Sequence, residues 1–211
     1  MTRQRIDILL HPTYFPNIAS FVAIANAKTV TFEVCDNYQK QTYRNRMYIY
    51  GANGKLPLTV PVVFSHKNRQ LYKDIVISED VYWQDLHWKS IQSAYSGSPF
   101  FEFYQDDLLP LFIKKYKYLL DFNFKCLEVI YDCLQLPFDY QKTKTYRKTV
   151  AEGTDYRILV NSRKEKEQPF QPYVQVFEDK HGFIPNLSIL DLICNEGPNA
   201  FMYLEAQHLQ L

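Results

Sequence analysis

The stretch that most constrains the fold runs from residue 9 to residue 21, Leu-Leu-His-Pro-Thr-Tyr-Phe-Pro-Asn-Ile-Ala-Ser-Phe. An apolar run over 6–10 ends in it and a helical pattern begins in it at Ile18. The run reads as a buried strand. His11, Pro12, Tyr14, Phe15 and Pro16 make a stiff loop, and Asn17 is placed to cap the helix through its side chain. Ile18, Phe21, Val22 and Ala25 recur at helical spacing, so the helix has a buried face. The β-branched and aromatic run 29–34 predicts a second strand. Strand, helix and strand in this order form a unit whose strands are parallel and joined by a right-handed crossover. His11 and the Cys35–Asp36 pair then sit at the carboxyl ends of neighbouring strands, where α/β proteins place their ligands.

The rest of the chain predicts one α/β domain over 1–211, with a mixed sheet and covering helices. Two strand-like runs, 43–50 and 55–64, flank Asn53-Gly54, the strongest short hairpin signal, and are expected to extend the sheet antiparallel. Pro57 and Pro61 make the second run an edge or bulged strand. A polar loop is expected over 65–73 and a strand over 72–77. A helix is predicted over 83–95, stopped by Gly97-Ser98-Pro99. Residues 100–104 form an aromatic patch around Glu102. A helix capped by Asp106 or Asp107 is expected to reach about Leu120, and another capped by Asp121 to present Leu127, Ile130, Tyr131 and Leu134. Extended segments are expected over 143–150, 155–160 and 173–177, with a solvated loop at 162–169. Ser188 with Asp191 marks the start of a short helix that Gly197-Pro198 closes.

Apolar residues make up 46% of the 211, which is enough for a core, and the formal net charge of +1 gives no nucleic-acid bias. The 17 Tyr and 15 Phe put hydroxyl handles on part of the hydrophobic surface. The four cysteines form no Cys-x-x-Cys pair, so neither a zinc knuckle nor a redox motif is supported. Asp7 interrupts any signal-peptide core and no window is long enough for a membrane span, so a soluble, cytoplasmic protein is expected.

Several segments resemble the WbqC-like protein family: His-Pro-Thr-Tyr-Phe-Pro at 11–16, Asn45-Arg46, Leu-Thr-Val-Pro-Val at 58–62, His-Trp-Lys-Ser-Ile-Gln-Ser-Ala-Tyr at 87–95, Ser-Pro-Phe-Phe-Glu-Phe-Tyr at 98–104, and the run from Gly182 to Leu192. The resemblance covers nearly the whole chain. It implies a bacterial protein of surface-polysaccharide (O-antigen) biosynthesis, for which transfer of an amino acid such as glycine to a sugar has been suggested. The chain departs from the pattern at Pro12, where many members have Gln, at Asn17, near which many have Trp, and at Cys35-Asp36, where many have paired aspartates.

The candidate catalytic residues are His11, as general base, Asp36, to orient it or receive an amine, and His87, as a second acid–base group. Candidate substrate contacts are Tyr14, Lys40, Asn45, Arg46, Lys89 and Glu102, with Arg46 suited to a phosphate or carboxylate and Glu102 to a buried acid among aromatics. Each also has a plain structural reading, as loop anchor, strand face or core-edge group. No metal is expected and no cofactor is indicated. The expected partner is a small molecule, such as a nucleotide-sugar, and not nucleic acid or membrane, with the 100–104 patch as a candidate homodimer contact. Two functions stay open: a transferase acting on a nucleotide-activated or aminated sugar, the substrate class being what the resemblance implies, and a non-catalytic binding or assembly protein of the same pathway. A thiol hydrolase built on Cys35 is a third.

Overall fold

The computed structural model describes residues 5–64, 69–79, 82–150 and 153–210. Strand β1 (Ile6–Leu10), helix α1 (Ile18–Ala25) and strand β2 (Ala27–Phe32) are where the opening pattern puts them. β1 and β2 pair in parallel, with Ile8 opposite Val30 and Leu10 opposite Phe32. Asn17 caps α1 by accepting a hydrogen bond from the Ser20 amide. All eight residues of α1 are buried, not one face of it, because helices from the end of the chain cover the side turned away from the sheet.

Two short strands from the second half of the chain complete this sheet. β7 (Gln141–Lys142) pairs with β2 and β8 (Thr154–Asp155) with β1, giving a four-stranded parallel sheet in the order β7-β2-β1-β8. Gly153 permits the second contact. It has φ +82°, and a Cβ there would stand 2.6 Å from the Asp7 carbonyl oxygen.

β3 (Arg46–Gly51) and β4 (Gly54–Thr59) form the Asn53-Gly54 hairpin, with Tyr48 opposite Pro57. The hairpin does not extend the parallel sheet; it is a separate two-stranded sheet. Just before β3, the backbone of Tyr43 is committed elsewhere: its carbonyl accepts from the Tyr14 amide at 3.0 Å and its amide donates to Val160 at 2.9 Å. Pro57 also lacks the N–H that further pairing on β4 would use. A third small sheet joins β5 (Val62–Val63) to β6 (Val76–Ile77). The strand expected over 72–77 is thus mostly a 3₁₀ turn, Tyr72–Asp74. The loop expected over 65–73 lies partly, at 65–68, outside the described residues.

α2 (Trp83–Tyr95) has the expected bounds. The single helix expected to run from Asp106 to about Leu120 is instead three: α3 (Phe101–Leu108), α4 (Pro110–Ile113) and the start of α5 (Leu119–Cys133). The aromatic patch initiates α3, so Asp106 and Asp107 fall in its last turn. Lys114 turns extended (ψ 141°) and ends α4. Asp121 lies in the first turn of α5 and does not cap it. Of the strands expected over 143–150 and 155–160, only β8 forms, followed by a 3₁₀ turn at Arg157–Val160.

No strand forms over 173–177. The buried Gln175 side chain accepts from the Ile184 amide at 2.9 Å and donates to its carbonyl at 3.0 Å. A side-chain amide thereby does what a neighbouring strand would do. Helices α6 (Glu178–His181), α7 (Ile189–Glu196) and α8 (Ala200–Ala206) follow, α7 being capped by Ser188. One hydrophobic cluster runs through both halves of the chain, from Ile8 to Leu204.

Candidate active-site cleft

An open cleft of about 420 Å³ lies at the carboxyl ends of the parallel strands. β1 delivers His11 to it, the loop after β2 delivers Asp36 and Gln39, and the turn before the hairpin delivers Arg44. β8 and the turn after it supply Asp155, Arg157 and Asn161, and Tyr146 stands on the loop between β7 and β8.

Arg44 ties the first wall together. Its side chain is 1% exposed, and its Nη2 donates to Asp36 Oδ2 in a short charge-assisted hydrogen bond. The same nitrogen stands 3.0 Å from His11 Nε2 and 3.4 Å from Nδ1. His11 Nε2 is 3.5 Å from Asp36 Oδ2. Being close to both ring nitrogens at once, the guanidinium nitrogen lies over the imidazole rather than along a single lone pair, and its charge disfavours a second proton on the ring. Burial, then the charges of Arg44 and Arg157, hold the His11 pKa well below its usual value, against a hydrogen bond to the Glu33 backbone that raises it. The Asp36 carboxyl is raised, chiefly by burial, with Arg44 opposing. Asp36 Oδ1 and Arg44 Nε are buried with no hydrogen-bond partner.

Arg157 organises the second wall. Its Nε and Nη2 donate to the two Asp155 oxygens at 2.9 and 2.6 Å. Nη1 and Nη2 also take the carbonyls of Arg147 and Lys148 at 2.7 and 3.0 Å. Nη1 is 3.6 Å from Oε2 of the fully buried Glu33. The two walls therefore meet through Glu33, whose other oxygen accepts from the Cys35 amide and the Thr143 hydroxyl.

The structure brings His11 and Asp36 together but not the other sequence candidates. His87 does not line the cleft. It is 3% exposed, its Nδ1 is 2.9 Å from the Tyr14 hydroxyl, and Trp83 packs on it edge-on. Burial lowers its pKa to about 4, so it is a neutral core group. Tyr14 is fully buried for the same reason. Asn45 donates to the Val60 carbonyl at 2.9 Å and closes the base of the hairpin. Arg46 donates to Thr59 across β3 and β4 and does not reach the cleft; the buried arginine is Arg44. Lys40 lies 4.3 Å from the Phe64 ring centroid. Lys89 pairs with Asp85 one turn earlier on the outer face of α2. Glu102 is exposed on α3, which corrects the expectation of a buried acid, because the aromatic neighbours Phe101 and Tyr104 take the inward face. Phe101 is itself in the core, so of that patch only Phe103, 74% exposed, is free for a contact between copies. Cys35 Sγ engages the Thr143 carbonyl at 3.4 Å and stays out of the cleft.

Sequence reasoning missed Arg44, Tyr146, Asp155 and Arg157 as cleft residues. Arg44 and Tyr146 lie in two locally basic stretches of the sequence, 40–46 and 142–148, and that density of charge is the signal the sequence holds for them. Arg157 had none, since it belongs to a segment that reads as a strand. The loop expected to be solvated at 162–169 also has an inward member: Glu165 Oε1 accepts from Tyr43, Asn186 and Asn17 at 2.5, 2.6 and 3.3 Å.

Every residue named as lining the cleft falls inside 11–170, and a family model described as the WbqC-like protein family matches those residues. The chain belongs to the WbqC-like protein family. The chain is also similar to the uncharacterized protein Rv1507c of Mycobacterium tuberculosis, at 25% identity over 195 residues, covering 79% of this chain and 83% of that protein. No solved structure matches the chain. Among the described residues no helix is long and apolar enough to cross a membrane, and no group of three or more His, Cys, Asp or Glu could hold a metal ion.

Proposed function

We propose that this WbqC-like protein is a small-molecule transferase that moves an acyl group, such as an aminoacyl group, onto a sugar acceptor. One observation carries this reading: a neutral histidine, His11, stands in an open cleft at the carboxyl ends of parallel strands, flanked by a buried Asp36–Arg44 pair. A neutral imidazole is competent to accept a proton, and a group at this end of a parallel sheet is reachable by ligand.

In this reading the acceptor's N–H or O–H displaces Arg44 from His11 Nε2, and Arg44 keeps its ion pair with Asp36. His11 takes the acceptor's proton as the new bond to the acyl carbon forms. The donor's leaving group departs with the electron pair of the bond that breaks. The hydrogen bond between the His11 ring and the Glu33 backbone fixes the ring through the exchange.

The test is turnover followed by mass spectrometry, with amino-acid esters and acyl thioesters as donors and simple sugars and nucleotide-sugars as acceptors. Donors and acceptors are first screened for a rise in melting temperature, since a ligand that binds only the folded protein stabilises it. The His11→Gln variant is expected to melt near the wild type and to lose about 10²–10⁴-fold in rate, the usual contribution of a general base. Turnover unchanged in that variant excludes the reading. A ligand that binds without ever being converted favours the binding or assembly protein instead.

A further inference from the structure

We propose that the cleft is an ammonium-selective subsite, shaped to hold a small polyol that carries a primary amine and to refuse a phosphate. The inference deepens the transferase reading by naming its acceptor, and rests on that reading only for the choice of a sugar as scaffold.

Both guanidiniums at the cleft are already engaged. Arg157 has committed donors from all three of its nitrogens, to Asp155 and to the carbonyls of Arg147 and Lys148, and it adjoins Glu33. Arg44 is 1% exposed, and its Nη2 already serves Asp36 and His11. Neither presents the free guanidinium fork that binds a phosphate. Lys144, Arg147 and Lys148 are exposed on the neighbouring loop, and none of them lines the cleft.

The carboxylates outnumber those guanidiniums. Glu33, Asp36 and Asp155 are coupled to only two guanidiniums, so with His11 neutral the network holds one carboxylate charge in excess. Asp36 lines the cleft and its Oδ1 accepts no hydrogen bond. Rotation about the soft carboxylate torsion would turn that oxygen toward the opening. Asp155 is 37% exposed. A site whose carboxylates outnumber its guanidiniums, with those guanidiniums already paired, selects a ligand that brings positive charge, which is what an alkylammonium does.

The remaining lining suits a polyol. Tyr146 is 54% exposed at the cleft, and a half-exposed aromatic ring offers an apolar face to the C–H face of a sugar. Gln39 and Asn161 add side-chain amides, which both donate to and accept from hydroxyl groups.

The experiment measures dissociation constants for the intact protein by ligand-observed NMR, using glucosamine, glucose, N-acetylglucosamine and inorganic phosphate. Glucosamine is expected to bind at least tenfold tighter than glucose or N-acetylglucosamine, to move the His11 ring signals (assigned with His11→Gln), and to resist displacement by phosphate. Asp36→Asn is expected to reduce glucosamine to the level of glucose. Because that variant leaves Arg44 without its counter-ion and can fail to fold, the selectivity of the wild-type protein is the deciding measurement. Equal binding of glucose or N-acetylglucosamine, displacement by phosphate, or no saturable glucosamine binding overturns the proposal. Selective glucosamine binding without turnover of any donor sinks the transferase reading alone. Turnover onto a hydroxyl acceptor with no amine preference sinks this one alone.

Discussion

Tyr14 and His87 are joined by a 2.9 Å hydrogen bond between residues 73 apart in sequence, both of them buried. The other ring nitrogen of His87 is held by the Thr59 backbone, so the tyrosine hydroxyl is the donor and Nδ1 the acceptor. This bond ties the loop that carries His11 to α2. Tyr14→Phe strips a buried nitrogen of its donor and is expected to destabilise the fold by about 1–3 kcal/mol. The loss is read from the shift in urea midpoint at unchanged slope. A midpoint equal to the wild type would show that the bond contributes nothing.

Among the groups that set the pH dependence of stability, His87 and Asp191 act in opposite directions, and buried His11 acts in the same direction as His87. The folded pKa of His87 is lowered to about 4, so the unfolded chain binds its proton more tightly. Stability from this group is present above the unfolded value of about 6.5 and is lost as pH falls toward 4. Asp191 is fully buried and its folded pKa is raised to about 6 by burial, although Tyr173 and Gln175 donate to it. Its contribution is present below the unfolded value of about 3.8 and is lost as pH rises toward 6. Each is worth about 3 kcal/mol over its window, and the two nearly cancel between pH 4 and 6. Asp191→Asn is expected to make stability rise more steeply with pH across that range, and His87→Gln to make it rise less. Urea midpoints at pH 4.5 and 6.5 check both slopes.

The Asp36–Arg44 pair is almost dry, so removing one member leaves the other charged and unpaired. Asp36→Ala is expected to cost about 3–5 kcal/mol, whereas replacing both partners, as Asp36→Leu with Arg44→Met, is expected to recover most of that loss. A double variant as unstable as the single one would mean that the pair holds the loop through geometry that no apolar substitute reproduces. Calorimetry of the two variants decides between them.

Gly197 closes α7 at φ +51°, and a Cβ there would stand 2.5 Å from the Phe100 ring. Gly197→Ala meets a steric and a backbone cost together and is expected to lose about 2–4 kcal/mol. Gly182 has φ +71° with open space around it, so Gly182→Ala carries the backbone cost alone. Melting temperatures of the two variants should separate by several degrees, with Gly197→Ala the lower.

The elements legible in the sequence are those that carry their own local chemistry. β1, α1 and β2 announce themselves through an apolar run, an Asn cap and a β-branched run, and the hairpin through Asn-Gly. Half of the cleft followed from this, because parallel β1 and β2 must bring His11 and Asp36 to the same end. The other half was not legible. β7 and β8 are two residues each, too short to show a period, and it is their pairing that brings in Tyr146, Asp155 and Arg157. Arg44 precedes β3, so the alternation of side chains along a strand does not say where it points. His87 has a site-like sequence context, yet its partners, Tyr14 and Thr59, belong to the core.

The pairing of Ile8 with Thr154 also sets the order in which the molecule can acquire its cleft. Closing a loop of that length costs entropy before any contact repays it, and topologies dominated by such distant pairs fold slowly. During synthesis, the wall that bears His11 and Asp36 is made within the first few dozen residues and waits for its counterpart through more than a hundred more. The site is thus a late event in folding, and ligand binding reports on completion of the whole topology rather than on the local unit that supplies its histidine.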